Sequence, residues 1–179
     1  MSKEQSKTLI ITQLAMTVAA LISGGYVIFL ASGLFPLPGI KYILMSPYLS
    51  LIIAIVMINV KTRWVVLKIN TVFAMIMAII NIYMGLAIFL TGACTQIVAT
   101  LTGSSKFQVQ ITASFYSSFT VGIALLVSKL FIGGAVFEKI SPIWIASAVL
   151  LAFVLGAIGS IFGTHIAHKI KKALGSRGV

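Results

Sequence analysis

The chain has 179 residues, 60% of them hydrophobic and 8% charged, with a mean hydropathy of +1.15, a composition from which no water-facing surface can be assembled. Two carboxylates, Glu4 and Glu138, oppose thirteen lysines and arginines, giving a net charge of +11. In a soluble protein that balance would point to nucleic acid. Here the cations sit at the ends of apolar runs and no basic patch interleaved with aromatics occurs, so the reading is an all-α integral membrane protein with no nucleic-acid partner.

Taken in order, the N-terminal "MSKEQSK" has the charge of a signal-peptide n-region. The uncharged run after it, Thr8 to Ile40, is far longer than an h-region of roughly 7 to 15 residues, so it reads as a retained first span over about 9–31. "SGLFPLPGIKYILMSP" follows, and its Gly33, Pro36, Pro38 and Gly39 mark a loop. A short second span is expected over about 48–59, closed by "VKTRW". Ile69 to Ser105 carries no charge over 37 residues, nearly twice the roughly 20 apolar residues that cross a bilayer, so the chain must fold back once. "NIYMG" at 81 to 85 is the expected turn, which sets spans over about 64–82 and 86–101. A fifth span over about 109–131 leads to the loop "GGAVFEKISP", and a sixth over about 143–166 to the basic tail "HKIKKALGSRGV".

The expected architecture is a single six-helix transmembrane domain with both termini on one side. With the termini in the cytoplasm, the inner ends carry Lys3, Lys7, Lys61, Arg63, Lys68, Lys106, Lys169, Lys171, Lys172 and Arg177, against Lys41, Lys129 and Lys139 outside. This is the positive-inside bias. No internal repeat is visible.

Catalytic chemistry is poorly supplied. No span holds a carboxylate, so neither metal-dependent phosphoryl transfer nor a proton relay has its parts. His165 and His168 share a helical face but lack a third metal ligand and sit beside Lys169. The single cysteine, Cys94, reads as a packing residue. An enzyme, a cofactor and a resident metal are not expected.

Two faces of small residues stand out. Ala148, Ala152, Gly156, Ser160 and Thr164 recur every four residues in span six, with Gly159 and Gly163 beside them, and Ala15, Ala19 and Ser23 do so in span one. Helices in lipid approach closely only through such residues, so each face either packs within the bundle or docks another membrane protein.

These features together resemble the substrate-binding (S) component of energy-coupling factor vitamin transporters. The likeness rests on six spans in a short chain, Ala-x-x-x-Ala in the first helix, and a Pro/Gly-broken loop before a short second span. It extends to "FPLPGIKYILMSPYLSLIIAIVMI" and "GLAIFLTGACTQIVATLTG", where Gln96 stands near the position at which many members carry an acid. The resemblance implies a chain without an ATPase of its own that captures a vitamin outside the cell. It would then pass the vitamin on through a transmembrane coupling (T) subunit bearing two ATPases, with Ala15 and Ala19, and Ser23 in the same row, as the coupling contacts.

A ligand pocket would then use the outer halves of spans four to six under the first loop. Lys129 is either a ligand anchor or a side chain snorkelling to the headgroups. Lys41, Tyr42, Asn81, Tyr83, Thr91, Thr95, Gln96, Trp144 and Ser147 would complete the pocket. With no buried carboxylate, a neutral or anionic vitamin is favoured over a cationic one such as thiamine. The competing expectation is a structural or assembly protein with no small-molecule ligand. A metal-uptake relative is disfavoured because the N-terminus lacks a histidine.

Overall fold

The computed structural model describes residues 3–33, 39–60, 62, 64–102, 105–133 and 141–175. Within them are six α-helices: α1 (Lys3–Ser32), α2 (Ile40–Asn59), α3 (Val65–Ile80), α4 (Ile82–Thr102), α5 (Lys106–Val127) and α6 (Pro142–Gly175). A single π turn, Ser128–Ile132, continues α5, and no strand occurs among the described residues. Five of the helices are long and apolar enough to cross a membrane; α3, at 16 residues, rises about 24 Å and is shorter than a hydrocarbon core of about 30 Å. The fold is an all-helical bundle of the kind a multi-pass membrane protein requires.

Local chemistry sets the breaks. Gly39 precedes α2 with φ of 83°, a left-handed conformation natural to glycine, and a Cβ there would stand 2.8 Å from a Leu125 methyl. Asn81 alone separates α3 from α4, its side-chain oxygen accepting from the backbone N–H of Tyr83 at 2.9 Å and of Met84 at 3.3 Å. Ser105 and Gln108 form a reciprocal capping box at the start of α5. Ser141 accepts from the Trp144 N–H at 3.2 Å, with Pro142 at the first helical position of α6.

These boundaries correct several expectations. Lys41 and Tyr42 lie in the first turn of α2, and Pro47 lies inside that helix, so the second span is a full 20 residues and not a short one. The turn expected over 81–85 narrows to Asn81, while Tyr83 and Gly85 belong to α4. Helix α6 continues to Gly175. The loop residues 34–38 and 134–140, together with Lys61, Arg63 and Arg177, lie outside the described residues.

Helix α5 is the hub. Its Ser117 donates to the Ser46 carbonyl of α2 at 2.7 Å, Tyr116 to Asn70 Oδ1 of α3 at 2.8 Å and Gln110 to Thr164 of α6 at 2.9 Å. Thr112 is paired with Thr102 of α4 at 2.9 Å. Among the described residues no buried side-chain nitrogen or oxygen lacks a partner. In hydrocarbon there is no water to satisfy such groups, so these bonds join the helices.

Helix α6 packs against α2 and α5 through its small face. Ala148, Ala152, Ser160 and Thr164 are buried, and a Cβ on Gly159 would run into the Pro47 carbonyl, one on Gly156 into Ser117. This face is used inside the bundle. The contact registers show α2 running parallel to α6 and antiparallel to α5. The N-terminal half of α1 and the C-terminal ends of α2 and α6 gather at one end, the terminal end. The starts of α2 and α6, Asn81 and the π turn lie towards the other, the hairpin end.

Two substitutions test this packing by thermal unfolding in detergent. Tyr116→Phe leaves Asn70 Oδ1 buried without its donor and should cost about 1 kcal/mol. Gly159→Val should cost about 3 kcal/mol by forcing α2 and α6 apart, whereas Ile158→Val on the exposed side of α6 should change stability little.

Candidate functional site

Helix α1 packs against α2 and, over less of its length, α3. Val18, Leu21 and Gly25 are buried on that side. Tyr48 of α2 donates its hydroxyl to the Ala20 carbonyl at 2.6 Å, in space that a Cβ on Gly24 would occupy. Ala15, Ala19 and Ser23 point away from this contact and all three are exposed. At 3.6 residues per turn they form one flat row, bordered by Met16, which is 68% exposed. A second helix could approach that row to backbone contact.

At the hairpin end the structure joins some of the residues singled out from sequence. Lys41 Nζ lies 4.8 Å from the centre of the Phe29 ring and 5.2 Å from that of Tyr42, a cation held over two aromatic faces. The Tyr42 hydroxyl is hydrogen-bonded to Ser128 in the π turn. Tyr83 stacks on Phe131 with ring centres 5.4 Å apart, bringing the start of α4 to the same turn. Lys129, between Ser128 and Phe131 in sequence, is half-buried and engaged. The π turn therefore gathers Tyr42 from α2, Tyr83 from α4 and Lys129, and π turns recur at functional sites because the extra residue re-aims neighbouring side chains.

The remaining residues have other surroundings. Asn81 caps α4. Thr91 and Thr95 are buried, donating to the carbonyls of Ala87 and Thr91 within their own helix. Gln96 is buried and accepts from the Leu67 N–H at 3.2 Å, fastening α4 to α3. Trp144 and Ser147 are exposed on α6, with Ser147 donating to the Trp144 carbonyl at 2.9 Å. His165 and His168 are exposed as well, and among the described residues no three His, Cys, Asp or Glu side chains come together.

A groove of about 480 Å³ opens at the terminal end, between the N-terminal half of α1, the C-terminal half of α2 and the last turns of α6. Its walls are apolar apart from Gln13, Thr17, Asn59 and Lys171, and none of the binding residues chosen from sequence lines it. Sequence reasoning missed these residues, as it missed Ser128, Phe131 and Phe29. The signal for the α1 wall was present: Gln13, Thr17 and Ala20 recur at helical spacing.

The hairpin-end contacts can be weighed separately in detergent. Asn81→Ala should lower stability by about 1 kcal/mol through loss of the cap. Phe131→Ala should cost about 1 kcal/mol beyond its burial by removing the stack on Tyr83.

No protein-family model, curated protein or solved structure matches the chain.

Proposed function

We propose that the chain is the substrate-capture subunit of an energy-coupling-factor type importer. In this reading it spans the cytoplasmic membrane of a bacterium or archaeon six times with both termini inside. It binds a small vitamin or related micronutrient and delivers it to a transmembrane coupling subunit with two ATPases. It is not itself an enzyme.

The observation that carries this reading is the exposed row Ala15, Ala19 and Ser23 on α1, the helix with the least of its apolar surface buried. A helix so lightly held, presenting a smooth strip, suits a partner that must associate closely through backbone contact. The ligand is assigned to the hairpin end. Lys41, Tyr42, Tyr83 and Lys129 there offer cations and aromatic faces, a chemistry that favours a neutral or anionic solute over a cationic one.

A second reading, an assembly protein without a small-molecule ligand, is favoured by one observation. Thr91, Thr95 and Gln96 spend their hydrogen bonds inside the bundle. Native mass spectrometry of the detergent-purified chain separates the two: a retained small molecule supports capture, and a bare chain after growth in rich medium supports assembly alone.

Ala15→Trp or Ala19→Trp should abolish uptake and copurification of the coupling subunit while leaving the retained solute and thermal stability unchanged, because both positions are exposed. Normal uptake by Ala15→Trp would overturn the capture reading.

A further inference from the structure

The groove at the terminal end is not used by this reading. We propose that it binds one anionic phospholipid of the surrounding leaflet, with an acyl chain along Met16, Ile52, Ile55 and Val56 and the phosphate against Lys171.

Three observations carry this. The first is the distribution of polarity: the long walls are aliphatic, and polar groups come from Gln13, Thr17, Asn59 and Lys171. An elongated amphiphile matches that division better than a compact polar solute would. The second is depth. Lys171 lies about 44 Å along α6 from Pro142 at 1.5 Å per residue. That rise is comparable to the about 40–45 Å of a bilayer with its headgroups, and Lys171 stands in the basic run that follows the uncharged stretch of α6. The third is charge. Exposed His168 and Lys172 flank Lys171 in sequence on α6, the chain as a whole carries +11, and basic pockets between transmembrane helices are binding sites for anionic headgroups.

Chemistry favours the lipid over a partner's helix. The groove pairs an aliphatic wall with the cation of Lys171, a division that one amphiphile with an acyl chain and a single anionic group satisfies at once. The groove face of α1, formed by Gln13, Met16, Thr17 and Ala20, is also turned about a third of a turn from the Ala15, Ala19 and Ser23 row. A protein seated on that row meets the groove only at Met16, which borders both, and leaves the lipid's other contacts in place. The lipid would fill the gap between α1 and α6, helices that scarcely touch each other directly.

The test uses the full chain in nanodiscs of equimolar phosphatidylcholine and phosphatidylglycerol, released into native mass spectrometry. One phosphatidylglycerol per chain should be retained, about tenfold over phosphatidylcholine. Lys171→Ala should weaken retention about fivefold. Thr17→Trp, which fills the groove, should abolish it, and Ala15→Trp should not. Lys106→Ala, which removes a cation of α5 outside the groove lining, should leave retention unchanged. Equal retention of the two lipids would overturn the proposal, as would an equal loss with Lys106→Ala, which would mean diffuse charge attraction only. Unchanged retention in Thr17→Trp would do the same, and so would a photo-crosslinker at Ile55 that captures a second polypeptide and no lipid in native membranes.

Discussion

A polar atom in hydrocarbon has no solvent to bond with, and the arrangement of this bundle follows from how α5 meets that requirement. Its serines, Thr112, Gln110 and Tyr116 would be costly on a lipid-facing helix. Placed at the centre, they bond to α2, α3, α4 and α6, so that the same groups that forbid exposure supply the specificity of assembly. The aliphatic residues around them, such as Leu125, Val121 and Ile53, fill space but have no preference for protein over lipid tails. Direction and register come from the hydrogen bonds and from the glycine contacts of α6.

Helix α1 stands apart from this scheme. It shares a hydrogen bond with α2 through Tyr48 and contributes Val18 and Leu21 to the core, yet two faces remain available, one along Ala15, Ala19 and Ser23 and one along the groove. The proposed importer role and the proposed lipid site draw on different sides of the same helix. They are compatible for that reason, and each stands or falls without the other.

Charge spacing and uninterrupted apolar length made the helices and the reversal at Asn81 legible in the sequence, because burial of charge and bilayer thickness are constraints on composition. Other features depend on contacts that composition does not encode. Pro47 reads as a loop residue, but it sits within α2, whose pre-proline residues stay helical. Gly85 looked like part of a turn and instead lets α4 approach Ala74 and Ala78 of α3. The small faces of α1 and α6 give the same sequence signal. One is covered by α2 and α5 and the other faces outward, because what covers a face is a property of the neighbours. At the hairpin end, Lys41, Tyr42 and Tyr83 were legible as an aromatic and cationic set, but the π turn that brings Ser128 and Phe131 to them was not. The groove needs the register of three helices and had no signature in any one of them.

Helix α6 rises about 51 Å over its 34 residues, against a hydrocarbon core of about 30 Å. It is held against α2 and α5 from Ala148 through Thr164, and Ala167 is still buried, so the last turns bearing His168, Lys169 and Lys172 form a short rigid pointer fixed to the rest of the molecule. Any rocking of the bundle in the membrane is magnified at the tip of that pointer, and a fluorophore attached there would register reorientation that stays small at the level of the hydrocarbon.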